Sequence, residues 1–211
     1  MSESSKTYSN FFLLWFPIVS ISTYIGVLLS SPIGTFLFRL RRHSYSTGDD
    51  GDLETTLSFL LLVALFLSFG QWLVINTRIK KAQYWIPATI IGFLVGSIVY
   101  LFIFVYLLIF LEVNYVQVAG FMMLGIFAGI CQCASLKKKF SIWIKWSLVT
   151  GLSLSIGYLL MLMVSNYTKE LTISSALFSG AVGLISGIYA KPLIILSENG
   201  NTNQQKVASY R

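Results

Sequence analysis

The sequence predicts an all-α membrane protein of six transmembrane helices, arranged as three parallel-repeat hairpins with both termini cytoplasmic. Three observations lead there: composition, six long apolar runs, and an internal repeat. Of 211 residues, 55% are hydrophobic and only 11% charged, with mean hydropathy +0.75. A water-facing domain carries about 25% charged residues, so this surface is built for lipid. Each apolar run reaches the ~18 residues needed to cross the hydrocarbon core. Spans take helical form because hydrocarbon offers the backbone no other partner.

The elements follow in order. A polar tail, residues 1–9, precedes the first span, Asn10–Ser30. That run lacks an A-x-A cleavage site and reads as a retained helix. Residues 31–54 open with Ser31-Pro32, pass an apolar IGTFLF stretch and end in Gly and Asp. They predict an outer loop with a short interfacial segment. The second span, Leu57–Ile75, stops before Arg78, Lys80 and Lys81. The third, Trp85–Leu111, and fourth, Tyr115–Ala134, lead to Lys137, Lys138 and Lys139. The fifth and sixth are Ile142–Val164 and Leu171–Leu196, closing a membrane domain of residues 10–196 before a polar tail, 197–211.

Charge sets the orientation. If both termini share one side, 11 of the 15 basic residues lie there. Positive-inside places that side in the cytoplasm. The net charge of +7 is then a topology signal and a contact for anionic lipid, and predicts no nucleic-acid partner.

The repeat sets the architecture. A shift of 70 residues carries Trp15, Pro17 and Gly26 onto Trp85, Pro87 and Gly96. A shift of 61 carries Gln71, Arg78, Trp85, Thr89 and Gly96 onto Gln132, Lys139, Trp146, Thr150 and Gly157. A shift of 58 carries Gly125 and Gly129 onto Gly183 and Gly187, but Gln132 onto Ala190, so the third copy is expected to lack the amide. Every hairpin starts inside, so the copies run parallel, and a pseudo-threefold bundle is the preferred arrangement.

Gln71 and Gln132 are the most pointed polar features of the spans. An amide in hydrocarbon needs a partner on another helix. The plain reading is inter-helix adhesion; the sharper one is a pair facing a central cavity and binding a small molecule. Adhesion is favoured because intramembrane residues signal function mainly when ionisable, and no acidic residue lies within a span. The sole histidine, His43, falls in the outer loop, so histidine-ligated haem within the spans is not expected. Cys131 and Cys133 stand two apart on a helix, facing opposite ways, and make no zinc site. No cofactor is predicted.

Small residues at four-residue spacing mark packing faces: Gly26 with Ser22 and Ser30, Gly92/Gly96, Gly125/Gly129, and Gly183/Gly187, with Gly157 added by the repeat. Trp15, Trp72, Trp85, Trp143 and Trp146 lie near the basic end of their spans and are expected as interfacial anchors. The aromatic run Tyr100–Leu111 is expected to face lipid. Asn166-Tyr-Thr168 is a low-information glycosylation match in a short loop. No Walker loop, H-E-x-x-H or G-x-S-x-G appears.

The stretch Gly70-Gln71-Trp72-Leu73-Val74-Ile75-Asn76-Thr77-Arg78, followed by Tyr84-Trp85 and Gly92-x-x-x-Gly96, resembles a group of uncharacterised bacterial membrane proteins. They are common in cyanobacteria and repeat G-x-x-Q-W-L-x-L-R, W-W and G-x-x-x-G. Tyr84 replaces the first W of W-W, and the second copy reads Cys131-Gln132-Cys133 where Q-W is usual. The resemblance implies architecture and a bacterial inner or thylakoid membrane; it supplies no catalytic residues.

The functional expectation is a non-enzymatic scaffold or accessory subunit that meets other membrane subunits. The rival is a small-molecule-binding or transport subunit, similar in size and helix number to the substrate-binding components of energy-coupling-factor vitamin transporters, with its site near Gln71 and Gln132. Convergence of the two amides on a polar cavity favours the rival. Burial against neighbouring helices favours the scaffold.

Overall fold

The computed structural model describes residues 3–42, 51–76, 82–110, 112–136, 140–168 and 171–208, and among them the chain is all-helical. Six helices follow one another: α1 (Glu3–Arg42), α2 (Gly51–Ile75), α3 (Trp85–Phe110), α4 (Val113–Ser135), α5 (Phe140–Thr168) and α6 (Leu171–Ala208), with a single 3-10 turn, Ala82–Tyr84, leading into α3. Each carries a segment of 18–27 residues apolar enough to cross a membrane. At 1.5 Å per residue these reach about 27–40 Å. This is a multi-pass membrane protein by length and composition of its helices.

The helices close a ring. Each packs on its neighbours in sequence, and α6 returns to pack on α1; the α2–α3 seam is the sparsest. Glycine makes most of these seams. A β-carbon at Gly92 would lie 2.5 Å from the Ala128 Cα, and one at Gly96 would lie 3.0 Å from the Leu124 Cα, so α3 and α4 meet backbone to backbone. On the other side of α4, Gly125 stands against Thr150 and Gly151, and Gly129 against Ser147. Gly26 faces Leu62 on α2, Gly157 faces Phe178 on α6, and Gly183 and Gly187 face Ser20 and Trp15 on α1. Every glycine named from the sequence thus stands at a helix crossing. Helices in lipid have no hydrophobic force between them, and close approach supplies dispersion contacts in its place.

The boundaries differ from the expected ones at the ends of the chain. Residue 31 does not begin a loop: α1 continues through Pro32 to Arg42, and its membrane-length segment is Phe11–Phe36. Proline costs a helix one backbone hydrogen bond, and the flanking hydroxyls turn back onto the helix, Ser30 to the Val27 carbonyl at 2.6 Å and Thr35 to the Ser31 carbonyl at 2.9 Å. The apolar IGTFLF stretch adds turns that lipid can solvate. Likewise α1 starts at Glu3 and α6 runs to Ala208, so most of the two polar tails is helix. His43, Arg78, Lys80, Lys81 and Lys137–Lys139 lie outside the described residues.

The outward surface of α3 is strongly apolar. Leu101, Phe102, Tyr106 and Ile109 are each about two-thirds exposed or more (66%, 76%, 68% and 69%), whereas Tyr100, the first residue of the run expected to face lipid, is half-buried and turns into a cavity between helices.

Gly92→Ala should destabilise the protein by about 1–3 kcal/mol, the usual cost of overpacking, because its methyl meets backbone. Gly180→Ala, where a β-carbon meets nothing within 4 Å, should be neutral or stabilising by up to about 1 kcal/mol. Unfolding titrations in mixed micelles read both. Equal effects at the two positions would contradict glycine-made seams.

Candidate functional site

The ends of the membrane-length segments of α2, α4 and α6 meet the beginnings of those of α3, α5 and α1 in a buried polar hub. Gln71 and Gln132 sit in the last turns of α2 and α4, and both are fully buried (0% exposed). Trp85 is the first residue of α3 and Trp146 lies in the second turn of α5. The indole of Trp85 donates to Gln71 Oε1 at 2.8 Å, and that of Trp146 to Gln132 Oε1 at 2.6 Å, both across 14 residues of chain. An indole N–H only donates, so it orients the amide it meets, oxygen toward the ring and nitrogen away. Gln132 Nε2 then donates to Gln71 Oε1 at 3.0 Å and to Thr89 Oγ1 at 2.7 Å. Thr89 can accept because its own hydroxyl proton goes to the Trp85 carbonyl, 2.8 Å away.

The third indole belongs to Trp15, on α1. It donates to Ser186 Oγ on α6 at 3.1 Å, joining the first helix to the last. Ser186 in turn donates to the Val182 carbonyl at 2.6 Å. The Trp146 ring touches both others: Trp15 edge-on, with centroids 6.2 Å apart at 84°, and Trp85 at 6.0 Å and 57°. Gly187 makes room for the Trp15 ring, since a β-carbon there would approach its Cδ1 to 2.8 Å.

Two expectations change here. Trp15, Trp85 and Trp146 are at most 2% exposed and are enclosed by helices, so they are not anchors against headgroups. Depth along a span placed them near the interface, but depth does not say whether a ring points out or in. Trp72 and Trp143 are half-buried and pack against the edge of the same core. The second change concerns the third copy. Ala190 is buried and apolar as its alignment suggests, but the acceptor stands one turn earlier, at Ser186. A register of 58 residues, fixed on two glycines, hid a serine that takes the amide's place.

One donor stays unmatched: Gln71 Nε2 has no partner among the described residues. Thr89 and Thr150 each stand four residues after their tryptophan and bond back to its carbonyl at 2.8 Å. Four residues after Trp15 stands Val19, fully buried and without a hydroxyl.

At the other end of the membrane segments lies a cavity of about 600 Å³, lined by residues of α1 to α5. Val27, Ser97 and Tyr158 line it, as do Ser30, Tyr100 and Met161. These two trios stand 12 and 15 residues after Trp15, Trp85 and Trp146 respectively. Gln71 and Gln132 do not line it. Between hub and cavity the buried residues include Val63, Leu67, Ala128, Leu154 and Val182, together with Thr23, Ser68, Ser153 and Ser179, whose hydroxyls bond back to carbonyls of their own helices. Three phenylalanines, one from each of α2, α4 and α6, then meet in a triangle: Phe59–Phe121 at 6.0 Å, Phe59–Phe178 at 6.4 Å and Phe121–Phe178 at 6.1 Å. The sequence does not single out this cavity, because five helices each contribute only two to four ordinary residues to it.

Cys131 is half-buried and Cys133 fully buried, and neither is joined in a disulfide among the described residues. Among the described residues, no group of three or more His, Cys, Asp or Glu could hold a metal ion. No family model matches the chain, and no curated protein or solved structure matches it.

Val19→Thr should supply the missing acceptor for Gln71 and raise stability by about 1 kcal/mol, a typical net hydrogen bond. The unfolding midpoint in mixed micelles checks it. A loss of similar size would mean that Gln71 Nε2 does not face this position.

Proposed function

We propose that this chain is a non-enzymatic scaffold or accessory subunit of a membrane complex. The reading rests on one observation: Gln71 and Gln132, the two span glutamines that the repeat singles out, bond across helices to indole, amide and hydroxyl groups. An amide consumed by indole and hydroxyl partners, and sealed from every surface, acts as an inter-helix bond. A ligand site at Gln71 and Gln132 would have to break those bonds first.

In this reading the three hairpins are copies about a pseudo-threefold axis along the membrane normal. Support comes from the bonding pattern. Each copy's opening tryptophan donates its indole N–H to the last turns of the membrane-length segment of the helix before it in the ring, with α6 serving α1. Offsets of 12 and 15 residues from each tryptophan reach one and the same cavity.

Both termini lie in the cytoplasm, and the loops bearing Arg78, Lys80, Lys81 and Lys137–Lys139 face anionic lipid. The membrane is a bacterial inner or thylakoid membrane, on the resemblance of the Gly70–Gly96 segment to the repeated hairpin proteins described above.

Purification from the native membrane in mild detergent tests this function. Other membrane proteins should accompany the chain in fixed stoichiometry. Recovery of the chain alone, across several detergents, would contradict it.

A further inference from the structure

The cavity at the end away from the hub has the volume, the walls and the polar groups of a ligand site. At about 600 Å³ it falls inside the ~300–1,000 Å³ range of small-molecule pockets. Its walls are largely apolar, with aromatic rings prominent. Tyr158 stacks flat on Phe121, centroids 4.2 Å apart and planes at 19°, and Phe59 packs edge-on to the other face of that cluster at 6.0 Å. Tyr100 lies against Gly120, where a β-carbon would meet the ring at 2.8 Å. A side chain there would drive Tyr100 into the space. Among the described residues, no charged residue lines it.

The polar groups have defined roles. Tyr158 donates its phenol proton to Gln117 Oε1 at 2.8 Å. That fixes the Gln117 amide with its oxygen toward Tyr158, leaving Nε2 as a donor with two hydrogens. Ser30 and Ser97 spend their protons on their own helix, on the Val27 carbonyl at 2.6 Å and the Phe93 carbonyl at 2.8 Å. Their oxygens are left as acceptors. The Gln117 amide is thus a neutral donor, and the Ser30 and Ser97 oxygens are neutral acceptors, among rings. A charged head would sit unpaired in low dielectric. A flexible acyl chain would use neither the rings nor the donor.

We propose that this cavity binds one neutral, ring-bearing amphiphile, with a carbonyl taken by the Gln117 amide and a hydroxyl that donates to Ser97 or Ser30. The aromatic walls hold the ring by stacking, and Gln117 sets its orientation. The site is independent of the hub, with which it shares no residue.

The test uses the full chain in lipid nanodiscs, with decyl 4-hydroxybenzoate, which carries one ring, one carbonyl and one hydroxyl, as the probe and oleate as the charged, ring-free control. Native mass spectrometry and a saturation titration should show one ester per chain. Gln117→Leu and Ser97→Leu should each weaken binding about tenfold, the scale of one lost neutral hydrogen bond or of a partly filled cavity. Trp85→Phe, in the hub, should leave the affinity unchanged. Should either cavity variant fail to fold, Ser97→Cys serves in its place. In a Cys131→Ala, Cys133→Ala background, bound ester should slow its labelling by a membrane-permeant maleimide. No saturable binding to the unaltered chain would overturn the proposal. So would equal affinity in folded cavity variants, oleate bound as tightly as the ester, or unslowed labelling.

Discussion

The indole-to-amide hydrogen bond is the interaction on which this bundle turns. In lipid the spans gain little by hiding apolar surface from one another, so glycine contacts alone would leave many crossings of similar energy. A buried amide and a buried indole N–H are different: each costs free energy unless it meets its partner. Trp85 must find Gln71, and Trp146 must find Gln132. Each bond ties the start of one hairpin to the end of the one before. Gln132 then reaches Gln71 and Thr89, linking α2, α3, α4 and α5 in one network. Trp15 and Ser186 bring the chain's first and last helices into the same ring.

The α2–α3 seam shows what this bond contributes. It is the sparsest contact of the ring, and none of the glycine approaches described runs across it. The Trp85–Gln71 bond spans it at the hub end. Elsewhere glycine sets helix spacing; here a directional polar bond sets it. Away from the hub the same ring opens into a cavity, floored in part by Phe59 and Phe121 of the phenylalanine triangle and bordered by Ser30, Ser97 and Gly120, which are small. The bundle therefore carries a buried polar lock at one end of its membrane segments and an aromatic-walled cavity at the other.

Much of this was legible in the sequence. Six spans follow from composition and run length. The pairing of Gln71 with Gln132 and of Trp85 with Trp146 was visible as a shift of 61 residues. The glycine crossings were visible as four-residue spacing. What the sequence hid was direction. Trp15, Trp85 and Trp146 sit at the depth of interfacial anchors, yet their rings point inward, and only the contact with an acceptor on another helix distinguishes the two. Ser186 was hidden because a conservative Ser in a Ser- and Gly-rich helix carries no pattern of its own. The continuation of α1 past Pro32 was hidden because proline usually ends a helix in water, whereas hydroxyls and lipid tolerate it here. The cavity was hidden because it belongs to the ring and to no single segment.

A double-mutant cycle between Trp146→Phe and Gln132→Leu, read as unfolding free energies in mixed micelles, tests the central claim most directly. The cycle subtracts the volume each substitution removes and leaves the interaction between the two side chains. A coupling of about 1 kcal/mol or more, toward the upper end for inter-helix polar pairs in membranes, is the predicted result. A coupling near zero, with both single variants folded, would contradict an account in which this bond holds the bundle.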